Sequence, residues 1–476
     1  MKNNIILIMT DQFRGDCIGY AGNHQIYTPY LDDLAASGCF FRRAYSNSPV
    51  CVPARACLLT GLKPSNTGFF NNAFKIPWEF KNTLVHQLQR GGYQTINVGK
   101  NHFNPQRNKM GYEINLLYET KNAENGVPCE YHTWLAAQGD GLQEDTALKY
   151  GRNAWTVLPW TGPVELHPSE WTVSTAIDQL DRRDPTRPFF LKVSFHRPHP
   201  PLDPPIHFWE MYRDLEIDDP VIGDWAPQFD RDTQDLAPFE GKIPLQHLRR
   251  AKRAYYAQIS HIDSQIGRLT DYLKAKKLFD STTILFISDH GEMMGDHNMF
   301  RKGQPYEGSS HIPFIVKFAK QTDVPFNGTC SNMPVSLLDV MPTCLDIAGI
   351  ENVAPGDGDS LLRLLAHPED REYISGESYR TSKQFTSGGI YVVTDRYKYI
   401  WDSWLGCEHL FDLANDPHEM TDLVNEPELA PVVTHLRQVV IDEYRSRPED
   451  DMLNENGELR SKKVLPDYRT PPTTHE

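Results

Sequence analysis

The chain has 476 residues, of which 39% are hydrophobic, 23% charged and 11% aromatic, a balance that buries a substantial core and excludes a disordered or collagen-like polymer. Forty-eight Lys and Arg stand against 63 Asp and Glu, a formal charge of −15; no basic stretch can neutralise a run of phosphates, so nucleic acid is not an expected partner. No apolar run is long enough to span a membrane, and at this length two unequal domains are expected.

The first element is a five-residue apolar run, 5–9, too short for a signal-peptide core and ended by Thr10-Asp11. It reads as a buried first strand, and a cytoplasmic location is expected unless an export signal has been removed. A helix over 30–37 stopped by Gly38, a helix over 83–90 stopped by Gly91 and a strand over 94–98 follow. Residues 104–171, rich in Trp, Tyr, Asn and Gly, break the rhythm as an excursion from the sheet. A helix over 173–182 and a strand over 189–195 restore it, and 196–244, dense in Pro and Asp, forms a second excursion; such excursions tend to rim active sites. Then come a long helix over 245–276, strands over 284–288 and 313–318, and a helix over 337–348. The alternation specifies βαβ units around a mainly parallel sheet. The tract 351–359 (ENVAPGDGD) is linker-like. Beyond it, strands over 389–394, 397–401 and 409–412 and a helix over 427–445 make a small α+β unit. The expected architecture is an α/β domain, 1–360, with a large mostly parallel or mixed sheet sandwiched by helices, and a C-terminal α+β subdomain, 361–476, with a short antiparallel sheet. Eight cysteines lack the density of a disulfide scaffold and are expected to be mostly reduced and buried.

Polar residues collect where the strands end. The first strand runs into Asp11-Gln12, the next into Gly99-Lys100-Asn101-His102, the third into His196-Arg197-Pro198-His199 and the fourth into Asp289-His290. Ligands of open α/β sheets bind outside the carboxyl ends of the strands, so the four clusters converge on one crevice. Asp11, Gln12, Asp289 and His290 form a donor set biased toward oxygen, which suits Ca²⁺, Mg²⁺ or Mn²⁺ better than tetrahedral zinc. A single Asp at a strand end is ordinarily a cap or turn former; two such pairs at equivalent positions favour a metal. In the run Ser48-Pro49-Val50-Cys51-Val52-Pro53-Ala54-Arg55, Pro53 in the first turn of a short helix places Cys51 at its amino end, where exposed N–H groups favour anions, and Arg55 adds a fixed cation. Cys57 reads as a small buried hydrophobe and His297 as structural. Lys100 and Lys302 taken singly would be surface lysines, and His196 and His199 could equally be solvated imidazoles on a rigid loop. Together the groups describe a pocket for a small tetrahedral oxyanion.

The run Cys51-Val52-Pro53-Ala54-Arg55 with Leu59-Thr60-Gly61 resembles the Cys-x-Pro-x-Arg signature of the type I sulfatases, formylglycine-dependent members of the alkaline phosphatase superfamily. Similar to that family, and in its order, are Asp11, Gly99-Lys100-x-His102, Pro198-His199, Ser288-Asp289-His290-Gly291, Lys302-Gly303-x-x-Tyr306-Glu307-Gly308 and Phe411-Asp412-Leu413-x-x-Asp416-Pro417-x-Glu419. The resemblance implies hydrolysis of a sulfate monoester to alcohol and inorganic sulfate. Cys51 would be oxidised to formylglycine by a maturation enzyme, and a hydroxyl of its hydrate, polarised by one divalent cation (Ca²⁺ first, Mg²⁺ or Mn²⁺ next) and Arg55, would attack sulfur. The metal set would be Asp11, Gln12, residue 51, Asp289 and His290. Lys100 and Lys302 would hold sulfate oxygens, His199 would protonate the leaving alcohol, and His102 would take the proton of the second hydroxyl, which expels sulfate.

Two departures from the family pattern stand out: Gln12 where many members carry a second aspartate, and Ala54 where Ser is frequent. The nearest rival is a phosphonate monoester or phosphodiester hydrolase of the same superfamily; these typically lack the Lys100-x-His102 pair. A two-zinc phosphatase would need a second ligand set, which the sequence does not show. An inactive binding protein of the same fold is at odds with intact Cys51, Arg55, Lys100, His102 and Lys302. For the substrate, a short sulfated saccharide is preferred, with small alkyl or aryl sulfates next. Trp134, Trp155, Trp160 and Trp171 could stack on sugars but are expected to be core first, and the negative charge disfavours a long sulfated polymer.

Overall fold

The structure, a computed structural model, describes residues 2–72, 76–119, 128–138, 153–381, 386–403, 405–447 and 452–461. Parts of the 104–171 excursion and the end of the expected C-terminal unit thus lie outside the described residues. In chain order the strands are β1 (Asn4–Asp11), β2 (Cys39–Phe41), β3 (Ala44–Tyr45), β4 (Gln94–Gly99), β5 (Ile114–Leu117), β6 (Phe189–Pro198), β7 (Thr282–Ser288), β8 (Phe314–Lys317), β9 (Thr329–Ser331), β10 (Val335–Ser336), β11 (Ile374–Thr381), β12 (Thr386–Val393), β13 (Tyr397–Asp402) and β14 (Cys407–Asp412).

Eight of them form one sheet in the order β5-β4-β6-β1-β7-β8-β2-β9. The run from β5 to β7 is parallel, β8 is antiparallel to β7 and to β2, and β9 is parallel to β2. The mixed sheet expected from the alternation is therefore present. Its reversal at β8 follows from the chain between β7 and β8, whose longest helix is the four-residue Glu307–Ser310, too short for a parallel crossover.

Period-two alternation on continuously apolar strands sends side chains into two separate cores. Ile6 and Ile8 of β1, with Ile284 and Phe286 of β7, pack under the helices Pro29–Ser37, Pro168–Asp181 and Leu245–Ala275. Ile5, Leu7 and Met9, with Leu285 and Ile287, pack under Cys51–Thr60, Leu84–Arg90, Val340–Ala348 and Leu361–Ala366. Each such fully buried side chain contributes about 1.5–3 kcal/mol, so the central strands are held rigidly between two helical layers. The tract 351–359 is not a free linker: the Asp357 N–H donates to Gly61 O at 2.7 Å and that of Asp359 to Asp339 Oδ1 at 2.9 Å. None of the eight cysteines is in a disulfide; six are buried, Cys407 is half-buried and Cys330 is exposed. Among the described residues no helix is long and apolar enough to cross a membrane.

The second sheet is antiparallel, β11-β12-β13-β14. One face carries the helix Ala430–Arg445 through Tyr399, Trp401, Val433 and Leu436; the other faces the large unit through Ile400, Tyr391, Tyr45 and Tyr306. A buried ionic clip reinforces this contact. Lys398 Nζ donates to Glu307 Oε1 at 2.9 Å and Ser310 Oγ at 3.0 Å and forms an ion pair with Glu419 Oε1 at 3.0 Å, and the Glu307 N–H donates to Glu419 Oε2 at 2.7 Å. The Lys302–Gly308 and Phe411–Glu419 motifs meet at this lysine, with Glu307 and Glu419 112 residues apart in the chain.

Candidate active site

The strands β4, β6, β1 and β7 are immediate neighbours, in register Gly99–Ser194, Asp11–Pro198 and Thr10–Ser288. Their carboxyl ends therefore open side by side, and the four polar clusters share one crevice. The helix Cys51–Thr60 points its amino end into that crevice. Gly61 ends this helix in the left-handed conformation (φ 67°), with its N–H on Cys57 O at 2.8 Å, a geometry that glycine adopts without strain. The Val52 N–H is taken by Asn72 Oδ1 at 3.0 Å.

Ligand atoms of Asp11, Cys51, Asp289 and His290 all lie within 4.8 Å of one another, fully buried. Cys51 Sγ is 3.2 Å from His290 Nε2 and 3.6 Å from Asp11 Oδ1. His290 Nδ1 donates to Gly291 O at 2.9 Å, which turns Nε2 toward the cluster. Arg55 brackets the two acids: Nε and Nη2 reach Asp289 Oδ2 at 3.0 and 2.9 Å, Nη2 lies 3.5 Å from Asp11 Oδ2, and Nη1 donates to Lys100 O at 3.0 Å and Ser194 Oγ at 3.1 Å. Lys100 Nζ pairs with Asp11 Oδ2. Lys302 Nζ donates to Gln12 Oε1 at 2.6 Å, and Gln12 Nε2 donates to Glu292.

The remaining candidates arrive through the backbone. The His199 N–H donates to Asp11 O at 3.1 Å, and its Nδ1 donates to Pro200 O at 2.7 Å, which leaves Nε2 as the free end of the ring. His102 sits on the Lys100 loop with φ 62°, its N–H on Glu119 Oε1 at 2.7 Å beside that of Asn101 at 2.8 Å. Lys100 is buried and not a surface lysine, and His196 and His199 are buried rather than solvated. Cys57 is a buried thiol, and His297 Nδ1 accepts from the Gly223 N–H at 3.0 Å.

Burial pushes the Asp11 carboxyl up, but Lys100, His199, Lys302 and His290 outweigh it and hold it well below the usual carboxylate range. Burial and Asp11 also push the Cys51 thiol up, and Lys302, Lys100 and His290 overcome them. Burial, with Lys302 and Lys100, drives His199 far down. The pocket thus keeps Asp11 ionised beside Lys100 and Lys302, whose positive charge an oxyanion site requires. Two carboxylates and one imidazole nitrogen converge from strand ends, and with the amide oxygen of Gln12, next to Asp11 in the chain, this donor set fits one hard divalent cation.

Several residues that shape the site were not singled out in the sequence. Glu292 holds Gln12, Glu119 holds the His102 loop, Ser194 holds Arg55, and Lys192 Nζ donates to Asn101 Oδ1 at 2.9 Å and Lys100 O at 3.2 Å. Glu292 stands two residues after His290 and Glu119 two residues past β5, so the strand-end rule could have found both.

The family description "Sulfatase" fits residues 3–350, and "N-sulphoglucosamine sulphohydrolase, C-terminal" fits residues 295–446. An arylsulfatase of Clostridium perfringens (strain 13 / Type A) is 38% identical over 465 residues, spanning 94% of this chain and 96% of that protein. A choline-sulfatase of Rhizobium meliloti (strain 1021) is 31% identical over 463 residues, spanning 90% and 83%. The crystal structure of a phosphonate monoester hydrolase of Agrobacterium radiobacter superposes with a TM-score of 0.79 at 25% identity, covering 94% of this chain and 96% of that one. The phosphonate monoester hydrolase thus shares the fold at lower identity than these two sulfatases. With its signature cysteine buried among two acids, a histidine and three basic side chains, the chain belongs to the sulfatase family and is a hydrolase of sulfuric ester bonds on the alkaline-phosphatase-like fold.

Proposed function

We propose that the enzyme cleaves a sulfate monoester with a formylglycine at position 51, made from Cys51 by a maturation enzyme, and one divalent cation, Ca²⁺ ahead of Mg²⁺ and Mn²⁺. The observation that carries this reading is the contact of Cys51 Sγ with His290 and Asp11, ringed by Arg55, Lys100 and Lys302. Asp11, Gln12, Asp289, His290 and residue 51 would hold the cation, whose charge polarises the nucleophile and offsets that building on sulfate. As its hydrate, formylglycine would supply the hydroxyl nucleophile for sulfur.

The chain's own groups do the rest. Arg55, fixed by four acceptors, keeps a permanent positive charge beside residue 51. An ammonium carries three donors, so Lys100 and Lys302 retain hydrogens for sulfate oxygens while bound to Asp11 and Gln12. The free Nε2 of His199 is the proposed proton donor to the leaving alcohol, since Nδ1 is held by Pro200 O. His102 is the proposed base for the second hydroxyl of residue 51, whose deprotonation releases sulfate and restores the aldehyde.

For the alcohol we propose a short sulfated saccharide. Trp171 is core, and Trp134 and Trp155 are partly buried against that same core; Trp155 also packs edge-on against Phe300 at 5.2 Å, two residues before Lys302. A small aryl or alkyl ester is the second reading, favoured by the arylsulfatase and choline-sulfatase relatives. Parallel assays with aryl sulfate, choline sulfate, sulfated monosaccharides, phosphonate monoester and phosphodiester decide between them; a preference for either phosphorus ester would overturn the sulfate reading. Mass spectrometry of the tryptic peptide 44–55 is expected to show the aldehyde at position 51, and an intact thiol in fully active protein would end this mechanism. Dialysis against a chelator is expected to abolish turnover, with recovery on adding Ca²⁺; undiminished turnover after chelation would remove the cation from the scheme.

A further inference from the structure

A glutamine at a cation site brings a problem that an aspartate does not: one end of its amide is a lone-pair donor and the other carries two N–H groups, which a cation repels. Here both ends are assigned by their neighbours. The Lys302 ammonium has no acceptor to offer, so the atom it meets at 2.6 Å is Gln12 Oε1. Nε2 is directed to Glu292 Oε2. Glu292 is 2% exposed, and its other oxygen, Oε1, accepts the Met294 N–H at 3.2 Å and the Arg301 N–H. The backbone of residue 12 is equally constrained: φ is 70°, its N–H is on Asp289 Oδ1 at 3.1 Å, and its carbonyl accepts from Tyr255 OH at 2.6 Å.

Resting on the cation reading above, we infer that Glu292 is a positioning residue: it fixes the amide of Gln12 with Oε1 toward the cation and Lys302, and carries one bond further out the negative charge that an aspartate at position 12 would supply directly. Because the same carboxylate takes the N–H of Arg301, it also sets the backbone from which Lys302 reaches back to Gln12. Glu292 touches neither cation nor sulfate in this role; it acts through Gln12 and Lys302.

A carboxamide at 292 has one oxygen for three donors. Either its NH₂ group opposes the N–H groups of Met294 and Arg301, or it opposes Gln12, whose amide then turns its own NH₂ toward Lys302 and the cation. Partners of this kind beyond the ligands are typically worth about 10–100-fold in metal affinity. Calorimetric titration of Ca²⁺ into Glu292→Gln is therefore expected to show affinity about 10–100-fold below wild type. The diagnostic variant is the double substitution Gln12→Asp with Glu292→Gln. A carboxylate presents oxygen whichever way it turns, so the double variant is expected to bind Ca²⁺ far more tightly than Glu292→Gln alone and close to wild type. A merely structural Glu292 gives no such rescue.

Wild-type affinity in Glu292→Gln overturns the inference. So does a double variant that stays as weak as Glu292→Gln, or fails to fold as it does, since Glu292 is then a scaffold of the 294–301 loop alone. If wild-type protein itself binds no Ca²⁺, wild type and variants fail alike; that pattern overturns the cation reading together with what rests on it, and is distinct from selective loss in the variant.

Discussion

Replacing Cys51 by alanine is expected to lower kcat/KM for an aryl sulfate by about 10⁴-fold or more, equivalent to about 5.4 kcal/mol of transition-state stabilisation. No other side chain in the buried quartet can become a carbonyl hydrate: Asp11, Asp289 and His290 are acceptors around it, and Arg55 is committed to those acceptors. The fold should survive, because the polar partners of Sγ among the described residues are Asp11 and His290, and their cationic neighbours Arg55 and Lys100 remain. The measurement is kcat/KM beside a thermal melt. Full activity in a folded Cys51→Ala protein would refute the nucleophile assignment, whereas an unfolded variant is identified by the melt and replaced by Cys51→Ser.

The second large effect belongs to Lys302. Its ammonium is anchored by one hydrogen bond to Gln12 and has two donors left for the oxyanion, so Lys302→Ala is expected to cost about 10²–10³-fold in kcat, the usual loss for one preorganised donor. Lys320 is the control: its side chain is 74% exposed and pairs with Asp280 at 2.8 Å on the surface, and its alanine variant should stay within about twofold of wild type, since surface changes stay within about 0.5 kcal/mol. Equal losses in the two variants would show that Lys302 contributes no more than surface charge. The deficit in Lys302→Ala should be the same for aryl and saccharide sulfates, because the lysine addresses the sulfate rather than the alcohol.

The site was legible at the strand tips because parallel topology brings the carboxyl ends of β4, β6, β1 and β7 together whatever their order in the chain, and each apolar run hands over abruptly to polar residues at Asp11, Lys100, His196 and Asp289. The helix behind Cys51 was legible from Pro53 at its start and Gly61 at its end. What escaped has equally physical reasons. Lys192 lies inside an apolar strand, where a lysine signals nothing until the carbonyl of Lys100 is seen beside it. Glu119 follows β5, a four-residue strand in a segment without periodicity. β11 went unread because Gly376, Glu377 and Arg380 interrupt any alternation, and β2, β3, β9 and β10 are only two or three residues long. The pairing of Gln12 with Glu292 needs three dimensions, since 280 residues separate them.

The lysine shared by Glu307 and Glu419 has a bearing on how this protein can be recombined. Glu307 opens the turn that ends in His311, and Gly308 lies so close to Gly291, beside His290, that a Cβ at Gly291 would collide with the Gly308 carbonyl. Removing one member of a buried charge set strands the others at about 3–5 kcal/mol. Chimeras that splice the last hundred residues of one relative onto the front of another should therefore work only when Glu307, Lys398 and Glu419 are inherited as a set, and hybrids that break the trio should lose the alignment of His290 before they lose the fold.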